Sequence, residues 1–266
     1  MLLNYYEKGK LGDPIVIFIH GSASDATVWL KELNLIAAHG YHCFAFDLRG
    51  HGETKEKMHP LQHMKLDIDT HIYDVRRTLD TLGIFPLKDP PKEIPPEKQI
   101  TIVTHSFGGI VAINIAKMFP QLVKKLVLVS LPPKLVLPMK LFLEVLLGKP
   151  IGFIQKNLDW FQKTPIKSRY KSSITTNAHV LQEIFKHVKD WNSFEIVPKL
   201  KCPIDFAAGR FDLVATAGDI YKLHRRIPNS TYHLFKWASH ALMEDQPEEF
   251  ERWLLECLKE PSKVKA

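Results

Sequence analysis

The amino-acid sequence predicts an α/β fold, in which a mostly parallel central sheet carries helices on both of its faces. Three observations indicate it. Short, continuous apolar runs recur along the chain, as expected of strands that are buried on both faces. Segments with helical periodicity separate most of these runs. The 266 residues are enough for one large domain with an ample core.

Six apolar runs predict the strands, at 14–20, 42–47, 100–105, 125–130, 203–209 and 230–235. Helical patterns cover about 24–38 and about 65–82, and a third helix starts at Ser106. A last helix begins near Pro247, because proline suits the first turn of a helix and two glutamates follow it. The strands and helices therefore alternate, as in a doubly covered parallel sheet.

Two segments interrupt this alternation. Residues 86–99 contain five prolines and predict an extended surface loop. Residues 132–198 contain no convincing strand, and their pattern is helical. We therefore expect a core domain made of residues 1–131 and 199–266, with a helical cap or lid at 132–198 inserted into it.

The net charge of the chain is +7, and most of this excess positive charge lies between Lys134 and Lys171. That segment contains eight basic residues and two acidic ones. A solvated basic face is the simplest interpretation. No nucleic-acid recognition module accompanies the basic residues, so we expect no nucleic-acid partner.

The cysteines and the N-terminal residues indicate the cellular compartment that we expect for the protein. The chain has three cysteines, a number that does not indicate a disulfide framework. The spacing of Cys43, Cys202 and Cys257 is not that of a zinc site. The opening residues lack the apolar core of a secretory signal, and no uncharged run has the length of a transmembrane helix. A cytoplasmic location is therefore expected, with peripheral contact at a membrane surface as an additional option.

Ser106 stands at the centre of the uncharged run ITIVTHSFGGIVAINIA, which covers residues 100–116. The pattern places it between a strand that ends at His105 and the helix that follows. Ligands collect at the carboxyl ends of parallel strands, and the free N–H groups of a helix N-terminus favour developing negative charge. The pattern favours a nucleophilic serine over one that merely caps a buried helix.

A serine hydroxyl needs a base to accept its proton and an acid to orient that base. Asp212 follows the strand at 203–209, and His240 follows the strand at 230–235. Both loops leave the carboxyl ends of strands, so we expect these side chains to meet Ser106 at one edge of the sheet. Three other titratable residues lie within predicted strands or helices and are poorer candidates: Asp205, His233 and Asp219.

The segment Thr104-His105-Ser106-Phe107-Gly108 resembles the nucleophile elbow G-x-S-x-G of the α/β-hydrolase fold family, with Thr104 in place of the first glycine. The order of nucleophile, acid and histidine is also the order found in that family. The resemblance implies a capped serine hydrolase of the esterase and lipase type. It also implies a helical cap inserted after the sixth strand of the fold.

The stretch His20-Gly21-Ser22 looks like the H-G-x motif of the same family. The resemblance implies an oxyanion hole formed by the backbone N–H groups of Ser22 and Phe107. It also implies supporting positions around the site: His20, Gly21, His105 and Gly108. The stretch FDLRGHGET at 46–54 is similar to a further motif of the family, and we interpret it as structural, with Asp47 paired to Arg49.

The chemistry implied is hydrolysis of a small-molecule carboxylic ester through an acyl-enzyme, without a metal or a cofactor. The cap segment PMKLFLEVLLGKPIGFI at 138–154 is largely apolar, which favours an apolar acyl group or, alternatively, contact with a membrane surface through the basic, apolar cap.

Several alternatives remain open at this point. Thioesterases, lactonases, C–C bond hydrolases and acyltransferases use the same triad, and a non-catalytic small-molecule binder could use the same scaffold. Haloalkane dehalogenases and epoxide hydrolases resemble the family in fold but have an aspartate at the elbow, so Ser106 argues against both. The sequence leaves the oligomeric state and the physiological substrate open.

Overall fold

The computed structural model describes residues 1–57, 65–135, 140–141, 145 and 176–259. In these residues seven strands form one sheet: β1 (Asn4–Lys8), β2 (Ile15–Ile19), β3 (His42–Asp47), β4 (Ile100–His105), β5 (Val123–Val129), β6 (Ile204–Gly209) and β7 (Ser230–Phe235). The order across the sheet is β1-β3-β2-β4-β5-β6-β7. Only β1 pairs antiparallel, with β3, and all other neighbours are parallel. The mostly parallel sheet predicted from the sequence is confirmed.

The sequence interpretation missed β1. Its residues, NYYEK, alternate between half-buried and exposed, and they carry no apolar run. As the edge strand of the sheet, β1 pairs on one side only, with Asn4 opposite Asp47 and Lys8 opposite Cys43. An edge strand has no need of the continuous apolar sequence that marks central parallel strands, which is why the pattern did not reveal it.

Eight α-helices lie wholly within the described residues: α1 (Leu30–Ala38), α2 (Ile68–Thr81), α3 (Phe107–Met118), α4 (Ala178–Val188), α5 (Ser193–Ile196), α6 (Ala217–His224), α7 (Leu242–Asp245) and α8 (Pro247–Leu258). Shorter 3-10 turns cover Ala26–Trp29, Gly52–Lys57, Pro96–Lys98 and Val197–Lys199. The helices predicted near 24–38, 65–82, from Ser106 and from Pro247 are confirmed, with ends that differ by a few residues. No helix in this part of the chain is both long and apolar enough to cross a bilayer.

Two separate apolar cores cover the two faces of the sheet. On one face, Trp29 and Leu33 from the α1 side and Phe250 and Leu254 from α8 pack against Phe18 and its neighbours on the strands. On the other face, α2, α3, α4 and α6 contribute to a larger core around Ile102 and Leu128. This arrangement confirms that helices lie on both faces of the sheet.

The segment predicted to form the cap leaves the core after β5 and returns to it before β6. Its two ends meet: Lys134 and Asn192 form an antiparallel bridge, and the Ser193 N–H donates to the Pro133 carbonyl oxygen at 2.7 Å. Among the described residues the insertion therefore follows β5, the fifth strand listed above, whereas the resemblance counts it after the sixth strand of the fold.

The helix predicted near 177–190 is α4, and its buried face includes Val180 and Ile184. Asn177 caps this helix by accepting the His179 N–H at 2.8 Å. Apart from residues 140, 141 and 145, the apolar run at 138–154 lies outside the described residues, as does most of the lysine-rich stretch.

Candidate active site

Ser106 occupies a sharp turn between β4 and α3. Its backbone has φ +50° and ψ −117°, a conformation that residues with a side chain rarely adopt. Such a residue costs of order 1–3 kcal/mol and persists only where its surroundings hold it. Here the Ser106 N–H donates to the Val129 carbonyl oxygen at 2.9 Å, and the Ser106 carbonyl oxygen accepts from Gly109 N–H at 2.9 Å.

The first turn of α3 packs directly on the end of β2. A Cβ atom placed on Gly108 would lie 2.5 Å from the carbonyl oxygen of Ile19 and 2.6 Å from that of His20. Only a residue without a side chain allows this approach. The small residue predicted at this position from the resemblance is therefore required by the packing of the helix on the strand.

Thr104 stands where the related motif has a glycine, and the structure shows how its side chain fits. Thr104 is fully buried, and its hydroxyl donates to the Val127 carbonyl oxygen at 3.3 Å. A Cβ atom on Gly109 would lie only 3.3 Å from Thr104 Oγ1 and 2.9 Å from a methyl of Leu131. Gly109 thus leaves the space that the branched side chain of Thr104 occupies.

Asp212 and His240 come together at the carboxyl ends of β6 and β7. The Nδ1–H of His240 donates to Asp212 Oδ2 at 2.8 Å. The other oxygen, Oδ1, accepts the N–H groups of Val214 and Ala215, both at 2.9 Å. Burial of Asp212 opposes its charged form, but the attraction of His240 and these hydrogen bonds outweigh it, so the pKa of the carboxyl lies below its usual value.

Ser106 and His240 line the same cavity, which has a volume of about 190 Å³. No hydrogen bond joins the Ser106 hydroxyl to the imidazole within the described residues. Because Nδ1 of His240 is engaged by Asp212, the remaining nitrogen, Nε2, is the one available to the hydroxyl. Hydrogen bonds between catalytic groups are often long without substrate and shorten when it binds.

The loop after β2 lies against the turn that carries Ser106. A Cβ atom on Gly21 would be 3.3 Å from Ser106 Cβ, and Ser22 lines the cavity. No backbone hydrogen bond occupies the N–H groups of Ser22 and Phe107 in the part of the chain that the structure describes. Ser22 therefore lies in the cavity lining and Phe107 lies directly after Ser106 at the start of α3, and these are the two residues whose N–H groups the resemblance implies for an oxyanion hole.

Two buried histidines hold this loop. His20 Nε2 accepts the Leu48 N–H at 2.9 Å, so its proton is on Nδ1, which donates to the Gly21 carbonyl oxygen at 2.7 Å. His51 Nε2 lies 2.6 Å from the Ser22 carbonyl oxygen. Burial lowers the pKa of both rings, well below the usual value for His20, which therefore acts as a neutral hydrogen-bonding group. The sequence interpretation did not single out His51.

His105 supports the opposite side of the cavity. Its Nε2–H donates to the carbonyl oxygen of His240 at 2.8 Å, which ties the end of β4 to the loop after β7. Nδ1 of His105 is buried without a hydrogen-bond partner, and burial lowers the pKa of the ring to about 3. The ring therefore stays neutral beside His240, whose ring centroid is 4.8 Å away.

The sequence interpretation also missed His71, which lies on α2. Its ring is fully buried and meets the edge of the Phe107 ring with centroids 5.2 Å apart. Both ring nitrogens are buried without a hydrogen-bond partner, and burial lowers the pKa to about 3. A histidine at a buried position of an amphipathic helix was the only available signal, and that pattern is more often structural than functional.

The expected pairing of Asp47 with Arg49 is wrong. Arg49 instead forms a two-pronged ion pair with Asp74 on α2, at 2.6 and 2.9 Å. Asp47 accepts the backbone N–H groups of Ala26 and Glu53, at 2.7 and 2.9 Å. The side chains of residues 47 and 49 serve different elements, because Asp47 still belongs to β3 and Arg49 lies in the loop beyond it.

The poorer candidates named from the sequence are engaged elsewhere. Asp205 on β6 lies 3.1 Å from Lys125 Nζ and accepts the Thr231 hydroxyl at 2.5 Å. His233 on β7 pairs with Glu249 at 2.9 Å. Asp219 lies in the first turn of α6 and accepts the hydroxyl of the N-cap residue Thr216 at 2.9 Å. Among the described residues, no group of three His, Cys, Asp or Glu side chains could hold a metal ion.

The structure therefore brings together all nine positions predicted for the site. Cavity-lining residues among them are Gly21, Ser22, His105, Ser106 and His240. The remaining four stand directly behind this lining: Asp212 holds His240, His20 holds Gly21, and Phe107 and Gly108 open α3 beside Ser106.

Comparison with known proteins identifies the family. A sequence model of the alpha/beta hydrolase fold matches residues 14–173. Human epoxide hydrolase 4 is 28% identical over 182 residues, which make up 68% of this chain and 44% of that protein. The chain thus spans less than half the length of this relative.

Solved structures of similar shape include the esterase EaEST from Exiguobacterium antarcticum, with a TM-score of 0.79 and 17% identity over 97% of this chain and 96% of that one. The enol-lactonase from Burkholderia xenovorans gives a TM-score of 0.78 at 16% identity, with the same shares of the two chains. At these identities the likeness concerns the fold. Because the family's sequence model covers more than half of the chain and the sheet and elbow follow its architecture, the chain belongs to the α/β-hydrolase fold family.

Proposed function

We propose that this protein is a serine hydrolase that cleaves a carboxylic ester through an acyl-enzyme intermediate. The observation that carries the proposal is the shared cavity of Ser106 and His240. Ser106 lies in it on a turn of positive φ, and His240 is oriented by its hydrogen bond to Asp212. A nucleophile, a base and an orienting acid in this relation are the requirements of acyl transfer through serine.

In the proposed reaction, His240 Nε2 takes the proton of the Ser106 hydroxyl while Oγ attacks the ester carbonyl carbon. Asp212 keeps the Nδ1 proton in place and stabilises the imidazolium that forms. The N–H groups of Ser22 and Phe107 donate to the oxyanion of the tetrahedral intermediate. The imidazolium then gives its proton to the departing alcohol, and a water activated by His240 releases the acid.

The residue at the elbow favours ester chemistry over epoxide opening. The relative in human is named an epoxide hydrolase, but the resemblance described above associates that activity with an aspartate at the elbow. Position 106 is a serine. Its alkoxide would add to a carbonyl carbon, and the resulting ester intermediate is one that an activated water can hydrolyse.

We further propose that the acyl group is apolar and that residues 132–198 form a cap over a core of residues 1–131 and 199–266. Four apolar side chains that line the cavity support the first point: Ala23, Val28, Ala241 and Met243. The bridge between Lys134 and Asn192 supports the second, because it closes the insertion at its base. Thioesters, lactones and C–C bonds remain substrates that the same triad could cleave.

Labelling with a fluorophosphonate probe tests the proposal. The probe reacts only with a serine that is activated by a base, so we expect one label per folded wild-type chain and none in Ser106→Ala. Asp212→Asn should keep the serine but lower the labelling and ester-hydrolysis rates on the order of 10³–10⁴-fold, because the imidazole loses its orienting acid. The measurements are mass spectrometry of the intact protein and initial rates.

Ser24→Ala is the matched control, since Ser24 lines the same cavity but lies outside the elbow. It should label like the wild type. A folded wild-type protein that takes no label would overturn the proposal in favour of a non-catalytic binder. Equal labelling of Ser106→Ala and wild type would assign the chemistry to another residue.

The acyl preference is tested with p-nitrophenyl esters of increasing chain length. An apolar acyl site should make kcat/KM rise from acetate to longer chains, because each buried methylene adds binding energy of about 0.8 kcal/mol. Rates confined to acetate and propionate would contradict the apolar acyl group while leaving the serine mechanism intact.

A further inference from the structure

Two loops beside the candidate site expose large apolar side chains. Phe211 and Leu213 lie in the loop after β6 and are 54% and 77% exposed, and Trp237 lies in the loop after β7 and is 77% exposed. The rings of Phe211 and Trp237 have centroids 6.3 Å apart. These three residues, which we call the loop patch, flank the segments that carry Asp212 and His240.

Ordered backbone holds the loop patch in place. The Phe211 N–H donates to the Ala238 carbonyl oxygen at 3.0 Å, which ties the two loops to each other. The Trp237 N–H donates to the side-chain oxygen of Gln246 at 2.8 Å, which ties the second loop to the start of α8. The side chains are therefore presented to solvent from a fixed backbone, and they add nothing to the core. Apolar side chains clustered in this way typically mark an interaction site.

The exposed charges of the same two loops are positive. Arg210 directly precedes Phe211, and Lys236 directly precedes Trp237, and both are exposed. The acid of these loops, Asp212, is buried and paired with His240. Aromatic and aliphatic tips with adjacent basic residues are the combination that binds the interface of an anionic bilayer.

We propose that the loop patch docks on the surface of an anionic lipid bilayer. Trp237, Phe211 and Leu213 enter the boundary between headgroups and acyl chains, and Arg210 and Lys236 contact the lipid phosphates. The net charge of +7 favours approach to such a surface. This surface is distinct from the basic cap considered from the sequence, and the proposal does not depend on the serine mechanism.

The size of the loop patch favours a bilayer over a protein partner. Three side chains with these exposures present apolar area on the order of 400 Å². A stable protein interface takes about 800 Å² from each partner and needs matching shape. A lipid surface accepts a small convex patch without such a match, because the lipids rearrange around inserted side chains.

Sedimentation with vesicles tests the proposal on the 266-residue chain. We expect binding to vesicles of phosphatidylcholine with 30% phosphatidylserine at low salt and weaker binding at 1 M NaCl, where the Debye length falls to about 3 Å. The double variant Phe211→Ala/Trp237→Ala should lower the partition coefficient at least about tenfold, since two buried aromatic rings are lost. Arg210→Gln/Lys236→Gln should weaken binding to the anionic vesicles and remove most of its salt dependence.

Leu11→Ala is the matched control. Leu11 is 94% exposed in the loop before β2, at the opposite edge of the sheet from the loop patch. This variant should bind vesicles like the wild type. All variants change exposed side chains, and circular dichroism melting identifies any that fail to fold.

Three results would overturn the proposal. The first is no binding of the folded wild type to anionic vesicles at low salt, and the second is equal binding of the wild type and Phe211→Ala/Trp237→Ala. The third is self-association in sedimentation velocity that the same double variant abolishes, which would assign the loop patch to a second copy of the chain. A blue shift of tryptophan emission on vesicles that is lost in Trp237→Phe would support insertion directly.

Discussion

Four histidines around the candidate site are buried, and burial opposes the charged form of each ring. Burial lowers the pKa of His71 and of His105 to about 3, and it lowers the pKa of His20 and His51 as well. The ring nitrogens of His20, His51 and His105 bond to backbone groups of the loops that form the cavity, whereas those of His71 have no hydrogen-bond partner. His20, His71 and His105 therefore shape the site without adding charge to it near neutral pH.

Glu32 on α1 provides a test of buried charge away from the site. It is 1% exposed, one of its carboxyl oxygens has no hydrogen-bond partner, and burial raises its pKa from 4.5 to about 7. Between these values the folded state holds more protons than the unfolded state, so the contribution of Glu32 to stability falls as the pH rises from 4.5 to 7. Replacement by glutamine removes this dependence.

We therefore expect Glu32→Gln to gain stability relative to the wild type by up to about 3 kcal/mol between pH 5 and pH 8. Guanidinium unfolding at several pH values measures the difference. Glu248→Gln makes the same change of side chain at an exposed glutamate of α8 and is the control. A difference between Glu32→Gln and wild type that stays constant over this range would show that Glu32 is not protonated in the fold.

The contact between β2 and α3 depends on Gly108, because only a residue without a side chain fits there. Gly108→Ala would put a methyl group 2.5–2.6 Å from two backbone carbonyl oxygens, and backbone atoms cannot move aside as the end of a flexible side chain can. We expect a loss of stability of about 1–3 kcal/mol, as for other overpacked sites. We also expect slower fluorophosphonate labelling, because the helix that opens beside Ser106 must shift.

Gly218→Ala is the matched control for this prediction. Gly218 lies near the start of α6, and a Cβ atom placed there meets nothing within 4 Å. Alanine has the higher helix propensity, so the variant should be unchanged or more stable by up to about 1 kcal/mol. Thermal unfolding distinguishes the two variants, and equal melting temperatures for both would refute the close approach of α3 to β2.

The reactivity of the three cysteine thiols measures whether the whole molecule is folded. Cys43, Cys202 and Cys257 are free thiols, and burial raises the pKa of Cys43 to about 12 and of Cys202 to about 11. Burial raises the pKa of Cys257 as well. Because the thiolate is the reactive form, the native protein should react with Ellman's reagent at pH 8 far more slowly than a free thiol does, on the order of 10³-fold for Cys43.

Three thiols should become reactive together when guanidinium unfolds the chain. Cys202 is half-buried, whereas the other two cysteines are buried, so its thiol should react first in the native state. Cys202→Ser should therefore remove the fastest phase of the reaction with Ellman's reagent. Rapid reaction of all three thiols in the native protein would contradict the packing of β3 and α8, which carry Cys43 and Cys257.

Local patterns in the sequence predicted most elements of the fold. Central strands such as β4 are buried on both faces and therefore carry apolar runs that are visible in the sequence. Strand β1 has no such run, because an edge strand needs only the backbone hydrogen bonds that it forms with β3. The closure of the insertion by Lys134 and Asn192 was also invisible, since the two residues are far apart in the chain and carry no shared pattern.

For the candidate site, too, the sequence predicted some features and only the tertiary structure decided the others. The ends of the predicted strands and the chain order implied by the resemblance together selected Ser106, Asp212 and His240, because parallel strands deliver their carboxyl ends to one edge of the sheet. Which side chains pair was decided by the folded molecule: Arg49 binds Asp74 rather than Asp47, and Gly109 leaves room for Thr104. Such contacts depend on distances between elements that are remote in sequence, and no periodicity within a single element encodes them.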